Sequence, residues 1–201
     1  MIGKQTPRVF LGLAILVAAL QTAALAYIVV ARDRLLKTGR EIVLSVTPVD
    51  PRDLFRGDYV TLGYDISRIT GQALGADEKI PKGIERGSIF YAVLQQQQDA
   101  WSVVRISAHY PADVAAGEVV IKGRVRAIST IPATRQQAAA ATLLGRYGIE
   151  SYFVPEGTGR ALEEKVRSHS IKAVVALGAD GTAALKGLIV DGERQDLPPI
   201  F

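Results

Sequence analysis

"IKAVVALGADGTAALKGLIVDG", residues 171–192, decides the fold class. Two apolar runs of strand length flank Asp180-Gly181, a dipeptide that tolerates positive φ at both turn positions, so the stretch predicts an antiparallel hairpin. The same signals recur upstream. Ile42, Leu44 and Val46 alternate with Val43, Ser45 and Thr47 ahead of Pro48 and Pro51, the period-two pattern of a half-buried strand. Residues 59–67 repeat it, with Val60, Leu62, Tyr64 and Ile66 on one face. Residues 88–94 and 101–108 read as a second hairpin around "QQQQDA". Residues 118–128 read as a strand with Val119, Ile121 and Val125 inward and Lys122, Arg124 and Arg126 outward. A further strand is expected over about 147–154, and a short helix over 156–170, capped by Thr158 and docked through Leu162 and Val166. Residues 133–148, "ATRQQAAAATLLGRYG", read either way: the alanines suit a helix, but Pro132 and Gly145 bound it closely. The expected domain is mostly β (α+β) and antiparallel, with one or two short helices.

Ahead of that domain the pattern is different. Residues 9–31, "VFLGLAILVAALQTAALAYIVVA", carry no charge, and at about 1.5 Å per residue they cover a hydrocarbon core of roughly 30 Å. Gln21 and Thr22 are the distinctly polar side chains inside the run, and Tyr27 sits toward one end, where an interfacial tyrosine belongs. Lys4 and Arg8 with Ala24-Leu25-Ala26 also have the form of a signal peptide cleaved after Ala26. The run exceeds the usual signal-peptide core of about 7–15 residues, which favours an uncleaved anchor. The expected division is a short tail over 1–8, an anchor over 9–31, a basic linker over 32–40 and a β domain over 41–201.

Composition narrows the function classes. The 201 residues are 48% hydrophobic, with no cysteine, two histidines and a net charge of +4. No run of five like charges occurs, so nucleic acid is not an expected partner. Basic residues flank the apolar run on both sides, and their count leans toward a cytoplasmic domain, although long domains cross membranes largely regardless of charge. By charge alone, orientation stays open.

"TPVDPRDLFRGDYVTLGYDIS", residues 47–67, is a proline-stiffened loop leading into a strand. Gly57 suits a positive φ and Asp58 an Asx-type turn, while Leu62 and Tyr64 fall on the core face, so the Tyr64 hydroxyl needs a partner. Gly57, Asp58, Tyr59, Leu62 and Tyr64 match, in order and spacing, the signature of the GDYXXLXY family, which the chain resembles over most of its length. Residues 152–157, "YFVPEG", are similar to a second recurring element of that family. The resemblance implies a bacterial inner-membrane protein, single-pass, with its domain in the periplasm, and an accessory role beside a polytopic membrane protein. It implies no established activity, and on orientation it outweighs the charge count.

Candidate contact residues are Arg52, Arg56 and Tyr59 on the motif loop and the basic stripe Lys122, Arg124 and Arg126, which suits an anionic lipid or envelope polymer. A solvated exterior is the plainer account of that stripe. A ligand-binding module would instead show a pocket lined by Tyr59, Tyr147 or Tyr152. A hydrolase is the third reading, because Gly57-Asp58-Tyr59-Val60 is similar to the hairpin of signal-peptidase folds. That chemistry needs a serine deprotonated by a lysine; the nearest serine, Ser45, lies on the preceding strand, and Lys79 and Lys82 lie in a polar loop. Arg56-Gly57-Asp58 spells an adhesion tripeptide, which a charged turn explains as well. His109 and His169 have no ligand-like spacing, and Glu150 and Glu156 fall about 20 Å apart on a straight strand, too far for a catalytic pair. No metal or cofactor pattern is legible. The enzyme question stays open, with the balance against catalysis.

Overall fold

The computed structural model describes residues 7–47, 59–74, 79–97, 100–131, 140–153 and 171–197. Among the described residues, helix α1 (Pro7–Thr38) is followed by twelve strands: β1 (Arg40–Thr47), β2 (Tyr59–Thr61), β3 (Gly63–Tyr64), β4 (Arg68–Thr70), β5 (Ile89–Gln97), β6 (Ala100–Ser107), β7 (Glu118–Ile131), β8 (Ala140–Arg146), β9 (Ser151–Phe153), β10 (Ile171–Leu177), β11 (Ala183–Val190) and β12 (Glu193–Asp196). Every described strand pair is antiparallel. The α+β, mostly β class read from the sequence is the observed one.

α1 is long and apolar enough to cross a membrane over Phe10–Thr38. Thr22 satisfies its hydroxyl within the helix, donating to the Ala18 carbonyl at 2.9 Å. The helix does not stop at the end of the uncharged run. Residues 32–38, expected as linker, are its last two turns and pack on the domain. Arg32 donates to the Ala183 carbonyl at 3.1 Å, Leu35 lies against Gly178, and Gly39 sits so close to Ala176 and Leu177 that a Cβ would lie 3.1 Å from each. Helical propensity favours the continuation, since Arg, Leu and Lys are good helix formers with no breaker before Gly39.

Two five-stranded sheets, in the orders β12-β11-β10-β1-β3 and β4-β8-β7-β5-β6, share one core, and β2 and β9 pair separately. The alternation of β1 holds: Ile42, Leu44 and Val46 are buried, and they join Phe90, Leu94, Ile121, Val175 and Leu188 in one contiguous apolar cluster. Phe90 reaches the floor of its sheet because Gly123 and Gly145 stand beneath its ring, where a Cβ would come within 2.6 Å and 2.5 Å of it.

Three expectations need correction. Residues 59–67 are not one strand but β2, β3 and a 310 turn, Asp65–Ser67. The expected strand from Tyr147 is reduced to β9, because Gly148 takes φ +79° and Glu150 folds back on the turn. The β10–β11 connection is a loop closed by Gly178 N–H on the Thr182 carbonyl at 2.8 Å, with only Gly181 at positive φ. The two-residue turn with positive φ at both positions is Asp191-Gly192, at 51° and 88°, which feeds β12. The ambiguous stretch is strand over β8 and ends in a turn at Tyr147 and Gly148. The expected helix over 156–170 lies outside the described residues.

Candidate functional site

Residues 59–70 stitch the domain together. β2 pairs with β9, β3 with β1, and β4 with β8, so this one segment enters all three sheets within twelve residues. Its alternation aims Leu62, Tyr64 and Ile66 into the core at 1%, 3% and 3% exposure. The partner that the buried Tyr64 hydroxyl requires is the Ile149 carbonyl, at 2.7 Å. A matching bond returns from the other side: the Tyr147 hydroxyl donates to the Ile66 carbonyl at 2.7 Å. Leu62 N–H adds a third tie, to the Glu150 carbonyl at 2.8 Å. Two tyrosines thus clamp residues 62–66 against residues 147–150, each satisfying a carbonyl that no strand partner reaches. Burial pushes both phenols well above their ordinary range, and the nearby Glu150 carboxylate adds to the shift. Both hydroxyls are committed to these backbone carbonyls. Tyr147 also meets Phe90 edge-on, with ring centroids 5.8 Å apart.

Glu150 holds the turn itself. Its two carboxylate oxygens accept from the Tyr147 and Gly148 amides at 2.5 and 3.0 Å. The Tyr147–Gly148 turn forms one wall of an open concavity of about 500 Å³, whose other lining comes from β7 and β8: Lys122, Arg124, Arg126 and Arg146, with Ile89 at the rim. The basic stripe read from the sequence therefore faces a concave surface, and β8 adds Arg146, which the sequence reading missed. The signal for it was cross-strand register, since Arg124 and Arg146 are direct partners, and register is not visible in one strand's sequence. Lys122 is ion-paired with Asp180 at 3.2 Å, and Arg124 donates to the Gly87 carbonyl at 2.8 Å.

A family model described as GDYXXLXY protein matches residues 21–188. The chain belongs to the GDYXXLXY family. No curated protein and no solved structure matches it significantly. Of the GDYXXLXY motif, Leu62 and Tyr64 are core residues, and Tyr59 pairs through its backbone with Phe153. Gly57, Asp58, Arg52 and Arg56 lie outside the described residues, as do Glu156 and His169. Of the tyrosines in the ligand-module reading, Tyr147 lines the concavity, and Tyr152, opposite Val60, does not. Ser45 is a mid-strand residue of β1 paired with Lys172, Lys79 and Lys82 are exposed, and His109 is exposed just beyond β6.

Proposed function

We propose that this protein is a single-pass accessory protein of a bacterial inner membrane. Its β domain would stand in the periplasm and hold a fixed face toward a polytopic membrane partner. The observation that carries the reading is the continuity of α1 from its apolar run into the docked turns at Arg32 and Leu35. A helix that leaves the membrane and locks onto the β10–β11 hairpin acts as a strut, fixing the height and rotation of the domain. A freely tethered domain gains nothing from such a joint, whereas one that must meet a neighbour in the same membrane does. The motif contributes placement rather than chemistry, since Leu62 and Tyr64 are committed to packing. The contact residues in this reading are Arg52, Arg56 and Tyr59, which precede or open β2.

The test uses a photocrosslinking residue at position 52, 56 or 59 of the full chain in native membranes, with and without a short Gly-Ser insertion after Thr38. Capture of one polytopic protein, sharply reduced by the insertion at equal expression, is the expected result. Equal capture with the insertion removes the strut, and no membrane protein captured from any of the three positions removes the accessory reading. Orientation has its own readout. The chain has no cysteine, so a single Lys172→Cys, exposed on β10, should react with a membrane-impermeant maleimide in intact spheroplasts.

A further inference from the structure

The concavity between β7 and β8 carries a charge arrangement that packing does not explain. Arg124 and Arg146 are direct cross-strand partners, and like charges placed opposite one another destabilise a sheet. The register slips between Val125 and Ala127, leaving Arg126 as the additional residue of a bulge, exposed and lining the same surface. A bulge re-aims the side chain it carries. The bulge in β11 shows the ordinary outcome: its additional residue, Lys186, reaches Glu41 across the sheet. Among the described residues, Arg126 and Arg146 have no such counterpart, and no carboxylate lies within ion-pair distance of either. The one acid in the lining, Glu150, has both oxygens taken by backbone amides.

We propose that this concavity is an anion site that takes a phosphate group with two or more negative charges, such as a phosphate ester or pyrophosphate. Arg124 and Arg146 occupy directly paired positions on neighbouring strands, so the charge of Arg124, one of whose N–H groups is held by the Gly87 carbonyl, and the fork of Arg146 flank one position for a tetrahedral anion. Arg126, two residues along β7 and about 7 Å away, reaches a second anionic group or the far oxygens of the first. The Gly148 turn and the exposed Ile89 bound the site with groups that accept the non-ionic part of a ligand. A volume of about 500 Å³ suits a small molecule. The site does not depend on the accessory reading, because the residues that line it belong to other segments than the motif loop.

The experiment titrates pyrophosphate against the full chain in nanodiscs of neutral phosphatidylcholine, reading the melting temperature of the domain. Sodium chloride at matched ionic strength serves as the control. A second arm replaces pyrophosphate with nanodiscs containing phosphatidic acid, whose phosphomonoester can carry two charges, which separates a soluble ligand from a lipid headgroup. The expected result is a rise of about 5 °C or more at saturation in one arm. It should be absent in Arg126→Gln/Arg146→Gln and retained in Lys172→Gln. Both arginines are exposed, Arg126 at the β7 bulge and Arg146 as the last residue of β8, so the double variant should fold; its unliganded melting temperature checks this. Arg126→Lys/Arg146→Lys should weaken apparent affinity at least fivefold, because an ammonium cannot grip an anion with a planar fork. Full retention in that variant would reduce the site to diffuse charge attraction and overturn the proposal. So would a response to chloride equal to that of both phosphate sources, or a response that survives loss of both arginines.

Discussion

Gly123 and Gly145 are the residues on which the packing of the second sheet turns. They are glycines because the Phe90 ring occupies the space where their side chains would stand. Gly145→Ala should destabilise the full chain in detergent by about 1–3 kcal/mol, the usual cost of overpacking. Adding Phe90→Leu should recover part of that loss, a non-additivity measurable by urea denaturation. The clamp tyrosines make a second residue-level prediction. Tyr64→Phe and Tyr147→Phe each leave a buried carbonyl unpaired and should cost about 1–3 kcal/mol. Their effects should couple, because both bonds hold the same two segments. The pair also sets an alkaline limit. Unfolded tyrosines ionise near pH 10, and the folded ones only well above it. This contribution is therefore complete below about pH 10 and is lost as the pH rises further, by about 1.4 kcal/mol per tyrosine per pH unit. Denaturation curves on either side of about pH 10 should show a shallower loss in Tyr64→Phe than in the wild type.

At the scale of elements, the β12-β11-β10-β1 side of the molecule is held from outside by charge. Glu41 on β1 accepts from Lys186 on β11 and from Arg194 on β12, at 2.5 and 3.0 Å. These bonds hold its carboxyl down at about 2, below the ordinary 4.5. Depressed in the folded state, it contributes stability at pH values above about 4.5 that drains away as the pH falls toward about 2. The group is exposed and screened by solvent, so the whole network is worth less than about 1 kcal/mol. Glu41→Gln should flatten the acid limb of stability between about pH 5 and 3, and added salt should shrink the difference between the two proteins. This network also explains why β12 escaped the sequence reading. Glu193 to Asp196 are all exposed, and an edge strand with no apolar face has no hydrophobic alternation to detect. β4, three residues long, fails for the related reason that a period needs length to show.

For the whole molecule, the consequential joint is the one between α1 and the sheet. A chain beginning at Arg32 keeps the docked turns, and one beginning at Arg40 loses them along with the Arg32 bond to Ala183. The first should be more stable by about 1–2 kcal/mol, the worth of a charged hydrogen bond with modest apolar burial, and thermal melts of the two should separate accordingly. A coincidence of the two melts would make α1 a tether. The same joint bears on the proposed accessory role, since a domain held by a strut presents one face and a tethered one presents all of them.

The antiparallel β class, the apolar helix and the family are legible in the chain alone. Those follow from local signals: period-two alternation, an uncharged run of bilayer length, and five motif residues at fixed spacing. The sequence also placed Leu62 and Tyr64 in the core, because strand parity assigns a face to every residue once one face is known. Tertiary structure alone decided what those residues do there. The Tyr64 hydroxyl meets a carbonyl 85 residues away and the Tyr147 hydroxyl one 81 residues away, and no local pattern encodes such a pairing. Nor could one strand's sequence show that Arg146 is paired with Arg124, or that a bulge places Arg126 on the same surface. Alternation within a strand is a property of the chain; register between strands is set by the packing of everything else.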